Sequence, residues 1–320
     1  MMTQKVLRLQ PREDFVLTPR IDSVCRRAMT YLDAGYACHF RGSAGTGKTT
    51  LAMHVAHTRA RPVVLMFGDE EFGTSDLVGM EKGVHSTKVT DNFVRSVTKT
   101  EEFRRANWVD NPLTTACKHG YTLVYDEFSR SRPEANNALL SVLEERILSL
   151  PEGHNGSSHM RVHPEFRAIF TSNPEDYAGV HKTQNALLDR MITIELDHYD
   201  RETEVAITSA RASVERPMAE KIVDLVRHIR SVDLVRQAKS LLPAQRATMS
   251  SALPQRPTLR ASIMIARIMR QLGCEVSKCL DDPVFLDACL DVLHPRALTC
   301  DEREWAAARG VIREAIAAMN

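Results

Sequence analysis

The sequence predicts an α/β domain built on a parallel sheet, followed by an all-helical domain. Three observations carry this expectation. Short apolar runs rich in β-formers alternate with helical patterns from the N-terminus to Leu196. The first run leads directly into a glycine-rich loop and then a helical pattern. After Asp197 the strand signal stops.

The runs are Ala37–Arg41, Val63–Phe67, Tyr121–Tyr125, Arg167–Thr171 and Met191–Leu196. Each is short and apolar, as a strand buried on both faces of a parallel sheet requires. Between them lie helices. Pro133 suits the first turn of one, where a missing N–H is tolerated, and Ala135, Leu139, Val142, Leu143 and Ile147 follow at helical spacing. Alternation of strand and helix implies helices on both faces of the sheet. Beyond Asp197, Arg201–Ala212, Pro217–Ser231, Thr258–Leu272, Pro283–Leu293 and Asp301–Met319 read as helices. In the last, Trp305, Ala308, Ile312, Ile316 and Met319 form one stripe, read as core. A linker rich in Pro, Gln and Arg, Leu242–Pro257, interrupts this region. The expected domains are residues 1–197 and 198–320, each within the usual domain range.

Composition removes several classes. With 42 basic and 41 acidic side chains the chain carries a net charge of +1, so nucleic-acid binding through bulk charge is not expected. The N-terminal MMTQKVLRLQPREDF lacks the apolar stretch of a secretory leader. No apolar run approaches the ~20 residues that span a bilayer, so no membrane partner is expected. The 7 cysteines are odd in number and scattered without a CxxC pair, which suits reduced thiols in a cytoplasmic protein. Cys274, Cys279 and Cys289 lack zinc-type spacing and read as helix-core thiols. His154, His159 and His163 cluster in Gly153–His163, a segment with the look of a hairpin and few acids to complete a metal site. Arg95, Lys99, Arg104 and Arg105, with Phe93, Phe103 and Trp108 among them, could form a strip for single-stranded nucleic acid. Interleaved Asp91, Glu101, Glu102 and Asp110 favour an amphipathic surface helix instead.

The chemistry concentrates at strand ends. Gly42-Ser43-Ala44-Gly45-Thr46-Gly47-Lys48-Thr49 fits the phosphate-loop spacing G-x-x-x-x-G-K-T/S at every fixed position. Its glycines let backbone N–H groups point inward at phosphate oxygens. Lys48 supplies a mobile charge for the β- and γ-phosphates of ATP, and the Thr49 hydroxyl can ligate Mg²⁺. Thr50–His57 reads as the following helix, whose N-terminus adds partial positive charge. The run Leu123-Val124-Tyr125 ends in Asp126-Glu127, placing Asp126 to hold Mg²⁺ through water and Glu127 to act as general base toward the attacking water. Asn173, just beyond the fourth run, either touches the γ-phosphate or is a turn residue before Pro174. Arg190 either projects onto a neighbouring subunit's nucleotide or pairs with Asp189 or another nearby acid. Arg260, at the start of a helix in the second domain, either reaches back over the nucleotide or is a solvated helix arginine.

In order, these residues resemble the AAA+ ATPases. Thr74-Ser75-Asp76-Leu77-Val78-Gly79, Arg132-Pro133-Glu134-Ala135-x-Asn137 and Leu187-Leu188-Asp189-Arg190 look like the MoxR branch. Gly68-Asp69-Glu70-Glu71-Phe72-Gly73, the run from Trp108 to Ala116, the run from Tyr125 to Ala135 and the run from Arg256 to Arg267 are similar to the gas vesicle protein N family. The likeness covers residues 12–275. It implies a P-loop AAA+ fold, with a five-stranded parallel sheet flanked by helices and a helical lid. It implies that Lys48, Thr49, Asp126 and Glu127 serve nucleotide and Mg²⁺, with Asn173 as first sensor, Arg190 as finger and Arg260 as second sensor. The segment Thr258-Leu259-Arg260-Ala261 departs from the wider branch, which usually has Pro before Arg. The family's partners would be a homo-oligomer, a hexameric ring, and gas vesicle shell or accessory proteins. The family's place would be the cytoplasm, in association with gas vesicles. A nucleotide-gated scaffold and a metalloenzyme activase of the MoxR type are the alternatives.

Overall fold

In a computed structural model of the chain, the residues described are 6–7, 14–94, 97–150, 158–174, 185–239, 257–273, 283–293 and 302–318. The elements in chain order are β1 (Val6–Leu7), α1 (Pro19–Asp33), β2 (Ala37–Arg41), α2 (Lys48–Thr58), β3 (Val63–Phe67), α3 (Thr74–Val78), β4 (Gly79–Val94), β5 (Val97–Asp110), α4 (Pro112–His119) and β6 (Thr122–Asp126). They continue with α5 (Pro133–Glu144), β7 (Ile147–Ser149), β8 (His159–Arg161), β9 (Arg167–Ser172), α6 (Asn185–Leu188) and β10 (Met191–Glu195). Five helices follow: α7 (Arg201–Ala212), α8 (Arg216–Lys239), α9 (Leu259–Gln271), α10 (Pro283–Leu293) and α11 (Glu302–Ala317).

Among the described residues the main sheet has the order β1-β3-β6-β9-β2-β10. The five apolar strands are parallel, and the short β1 adds an antiparallel edge against β3 that the sequence does not announce. Every residue of β6 is buried, which explains the apolar Leu123-Val124-Tyr125 at its centre. Helix ends follow local chemistry. The Asp200 carboxylate accepts from Thr203 N at 3.0 Å to cap α7, and α4 stops at Gly120, whose φ of 69° suits glycine.

One expectation fails clearly. Residues 93–94 and 97–108 are not an amphipathic helix; they belong to a long β4–β5 ribbon running from Gly79↔Asp110 to Val94↔Val97, and Arg95 lies outside the described residues. The segment is dense in β-branched residues (Val84, Thr87, Val89, Thr90, Val94, Val97, Thr98, Thr100), which favour strand over helix. The register also sets Lys88 opposite Glu102 and Asp91 opposite Lys99, pairs of opposite sign. The histidine segment does contain the expected hairpin pairing, Ile147↔Arg161 to Ser149↔His159, while His154 lies outside the described residues. Cys274, Cys279 and the linker residues 242–256 also lie outside them. Cys289 is buried in a helical core.

The chain divides into two compact units. One comprises Met1–Pro11, Ser23–Ser43 and Lys48–Leu196; the other comprises Arg12–Asp22, Ala44–Gly47 and Asp197–Asn320. The core of the first gathers Val64, Leu123, Tyr125, Phe128, Leu139 and Phe170. The core of the second gathers Ile222, Val226, Ile265, Phe285, Leu290 and Ile312, so α10 and α11 are integral to it. The tip of the glycine loop, Ala44–Gly47, groups with the helical unit rather than with the strand that precedes it.

His39, in the middle of β2, is fully buried. Its Nε2 lies 2.8 Å from Ser172 Oγ on β9, and its Nδ1 lies 3.0 Å from Thr193 Oγ1 on β10. Burial, aided by the nearby Arg41 charge, pushes the imidazole down to about 4. The unfolded chain therefore binds this proton more readily than the folded one, and stability falls as pH drops from 6.5 toward 4. Urea unfolding should show the native chain losing about 2 kcal/mol more than His39→Gln between about pH 7 and 4.5. Equal losses would contradict this account of the histidine.

Candidate nucleotide site

Parallel strands expose their carboxyl ends at one edge, and the order β6-β9-β2 sets three chemically marked ends side by side. Asp126 closes β6, Asn173 follows β9, and Gly42 follows β2. The Gly42 N–H donates to Ser172 O at 3.3 Å. A Cβ at Gly42 would collide with the Leu196 carbonyl, 3.2 Å from its carbon, so only glycine fits. Gly45 and Gly47 take φ values of 77° and 82°, the left-handed region that lets the loop curl.

Lys48 opens α2 and is buried. Its Nζ donates to Gly42 O at 2.7 Å and Ser43 O at 2.8 Å, so the ammonium sits inside the loop's own curl. Thr46 is also buried. Next to Lys48, the Thr49 hydroxyl faces the Asp126 carboxylate at 2.8 Å (Oδ1) and 2.9 Å (Oδ2). Asp126 is 6% exposed, and a second hydroxyl, Thr171 Oγ1, donates to its Oδ1. Hydroxyl and carboxylate oxygens are the hard donors that Mg²⁺ takes, so the residues present fit that ion.

Glu127 adopts φ 52°, a left-handed conformation uncommon for a non-glycine residue. Its N–H donates to Thr171 Oγ1 at 2.9 Å. From the other side Gly68 presses close: its N–H donates to Asp126 O at 2.7 Å, and a Cβ there would lie 2.8 Å from the Glu127 carbonyl carbon. Thr171 and Gly68 therefore set the turn that presents Glu127, and sequence reasoning missed both. Gly68 had a signal, its place just after a strand end; Thr171, inside an apolar strand, had none. The Glu127 carboxylate meets Arg130 Nη1 at 2.8 Å, with side chains 45% and 50% exposed.

The remaining expected residues divide. Asn173 is buried at the strand edge. Arg190 pairs with Glu144 of α5, not with Asp189: its Nε lies 2.6 Å from Glu144 Oε2, its Nη2 donates to the same oxygen, and its Nη1 donates to Ala186 O at 2.6 Å. Arg260 is exposed in the first turn of α9. Thr258, two residues earlier, packs on the glycine loop, where a Cβ at Gly45 would lie 2.7 Å from its Cβ. Among the described residues no group of three or more His, Cys, Asp or Glu side chains could hold a metal ion.

The AAA domain (dynein-related subfamily) matches residues 40–191. The gas vesicle ATPase GvpN of Ancylobacter aquaticus is 48% identical over 317 residues, covering 99% of this chain and 83% of that protein. Its namesake from Haloferax mediterranei is 44% identical over 287 residues, covering 89% and 76%. Protein CbbQ of Hydrogenophilus thermoluteolus is similar at 23% over 193 residues, covering 59% and 65%. A mutant RuvB of Thermotoga maritima, 15% identical, shares the fold with a TM-score of 0.50 over 92% of this chain and 76% of that one. The chain thus binds nucleotide and is an ATP hydrolase, and it belongs to the gas vesicle ATPase GvpN family of AAA proteins.

Proposed function

We propose that this chain binds ATP with Mg²⁺ at the carboxyl edge of its sheet and uses hydrolysis to drive gas vesicle assembly and growth, remodelling or chaperoning shell or accessory proteins. The observation that carries the chemical part is the convergence of Lys48, Thr49, Asp126 and the Glu127 turn on one strand edge. The vesicle part rests on the names of the relatives.

The residues divide the work as follows. Amides of Gly42, Ser43, Ala44, Gly45, Thr46 and Gly47 cradle the phosphates, and Lys48 Nζ turns from its loop carbonyls to the β- and γ-oxygens. Thr49 and Asp126 would hold Mg²⁺, which would offset the charge that develops on phosphate oxygens. Glu127 leaves Arg130 and takes the proton of the attacking water. Asn173 orients that water against the γ-phosphate. Arg190 leaves Glu144 and stabilises the transition state on a neighbouring subunit of a homo-oligomeric, hexameric ring. Arg260 reads the nucleotide from the helical domain, residues 198–320, while residues 1–197 form the nucleotide-binding domain. The protein works in the cytoplasm against growing vesicles, without nucleic acid or membrane. Among the described residues no helix is long and apolar enough to cross a membrane.

One observation favours a second reading, a nucleotide-gated scaffold that needs binding but not turnover. Glu127 and Arg190 are both engaged in ion pairs within the chain. Two substitutions separate the readings. Lys48→Ala should abolish ATP binding. Glu127→Gln should keep binding while phosphate release falls about 100-fold or more, and vesicles should stay small. Normal vesicles with Glu127→Gln would favour the scaffold.

Thr171→Val tests the supporting turn. It keeps the shape but leaves the partly buried Glu127 N–H without its acceptor and the Asp126 carboxylate without one donor, which should lower unfolding stability by about 1–3 kcal/mol. Phosphate release should fall about tenfold, and Thr171→Ser should restore most of it. Turnover at the native rate in Thr171→Val would show that the hydroxyl does not position Glu127.

A further inference from the structure

The helical unit contains a charge cluster with no part in the chemistry above, in which Glu204 and Arg230 are buried and Arg227 is half-buried. Glu204, on α7, is 1% exposed. Two arginines one turn apart on α8 share its carboxylate: Arg230 Nη1 lies 2.9 Å from Oε1 and Arg227 Nη1 lies 3.1 Å from Oε2. Each arginine also holds a backbone carbonyl. Arg230 Nε donates to Pro257 O at 2.8 Å, and Arg227 Nη1 donates to Tyr199 O at 3.1 Å.

Those two carbonyls belong to the segments that meet the glycine loop. Tyr199 is buried, and its Oη lies 3.7 Å from where a Cβ would stand on Gly47. Pro257 immediately precedes Thr258, the residue packed on Gly45. Loop tip, both segments and the charge cluster all lie in the same compact unit. A buried ion cluster is seldom the cheapest way to stabilise a core, because apolar side chains of similar volume do as well or better. This one also leaves Arg230 Nη2 buried with no hydrogen-bond partner. Stability alone gives little reason to keep it; placement of two backbone segments does.

We propose that Glu204, with Arg227 and Arg230, is a positioning device for nucleotide binding: it fixes Tyr199 and Thr258 against Gly47 and Gly45, and so couples the conformation of the phosphate loop to the packing of α7, α8 and α9. The proposal rests on the reading that the loop holds ATP. Glycines in the left-handed region give the loop tip freedom, and side chains packed on them restrict it to the curl that presents its amides. Binding at the loop then stabilises the clamp, and the clamp strengthens binding by the same factor.

The test uses the full-length protein. A fluorescent ATP analogue with Mg²⁺ gives the dissociation constant, and melting with and without ADP and Mg²⁺ gives the nucleotide-induced rise. Glu204→Gln removes the charge at nearly constant shape. Arg230→Lys keeps a positive charge opposite Glu204 but removes the Nε donor to Pro257. Both should weaken analogue binding about tenfold and shrink the ADP-induced rise in melting temperature. Arg201→Gln is the control. Arg201 pairs with Asp224 across the same two helices, at 2.6 Å through Nε, without touching the loop segments. It should lower the melting temperature yet bind the analogue like wild type. If Glu204→Gln fails to fold, Arg230→Lys decides. Binding within twofold of wild type by folded Glu204→Gln or Arg230→Lys would overturn the proposal, as would equal weakening by Arg201→Gln. A wild type that does not bind the analogue would instead remove the nucleotide reading itself.

Discussion

Two threonine hydroxyls converging on the buried Asp126 carboxylate tie together parts of the chain that are far apart in sequence. Thr49 comes from the first turn of α2, Thr171 from β9, and Asp126 from the end of β6. A buried carboxylate without partners is expensive, and hydrogen bonds to an ionised acceptor are about twice as strong as neutral ones. The carboxylate therefore fixes where α2 starts relative to the strand edge, and with it where Lys48 stands. Thr171 extends the same constraint one residue further by accepting from the Glu127 N–H. Placement of the phosphate loop and placement of the Glu127 turn thus follow from contacts around one carboxylate.

The groups assigned to chemistry are held, but weakly. The Glu127–Arg130 and Arg190–Glu144 pairs are partly exposed, and such pairs contribute roughly 0.2–1 kcal/mol each. Charge contacts of that size give way easily to a phosphate and its attacking water. The backbone beneath is firm by comparison: a φ of 52° at Glu127 is maintained by Thr171 on one side and Gly68 on the other. A rigid turn carrying a lightly tethered carboxylate suits the role of general base proposed for Glu127.

The sequence made part of this legible. The phosphate loop was readable because its function depends on residue types at fixed local spacing, and Asp126–Glu127 because a carboxylate pair after an apolar strand is a local pattern. Strand bounds such as Val63–Phe67 and helix bounds such as Pro283–Leu293 could be read for the same reason: burial on both faces, or on one stripe, imposes a period. What stayed hidden depends on approach between distant segments. Gly68 matters because the Glu127 carbonyl lies against it, and Thr171 matters because β9 runs beside β6. The part of the β4–β5 ribbon from Phe93 on was misread as helix because its mixed charges and aromatics were weighed above its β-branched residues, whose local preference is for strand. Grouping of Ala44–Gly47 with the helical unit is likewise a tertiary fact, set by Thr258 and Tyr199.

The central claim is that the strand edge around Asp126 is where nucleotide and Mg²⁺ are held. A crystal structure of the protein with Mg²⁺ and a non-hydrolysable ATP analogue tests it most directly. The account predicts density for the metal between the Thr49 hydroxyl and the Asp126 carboxylate, with Lys48 Nζ moved off the Gly42 and Ser43 carbonyls onto phosphate oxygens. Phosphates bound elsewhere, with Lys48 and the Thr49–Asp126 contact unchanged, would contradict it.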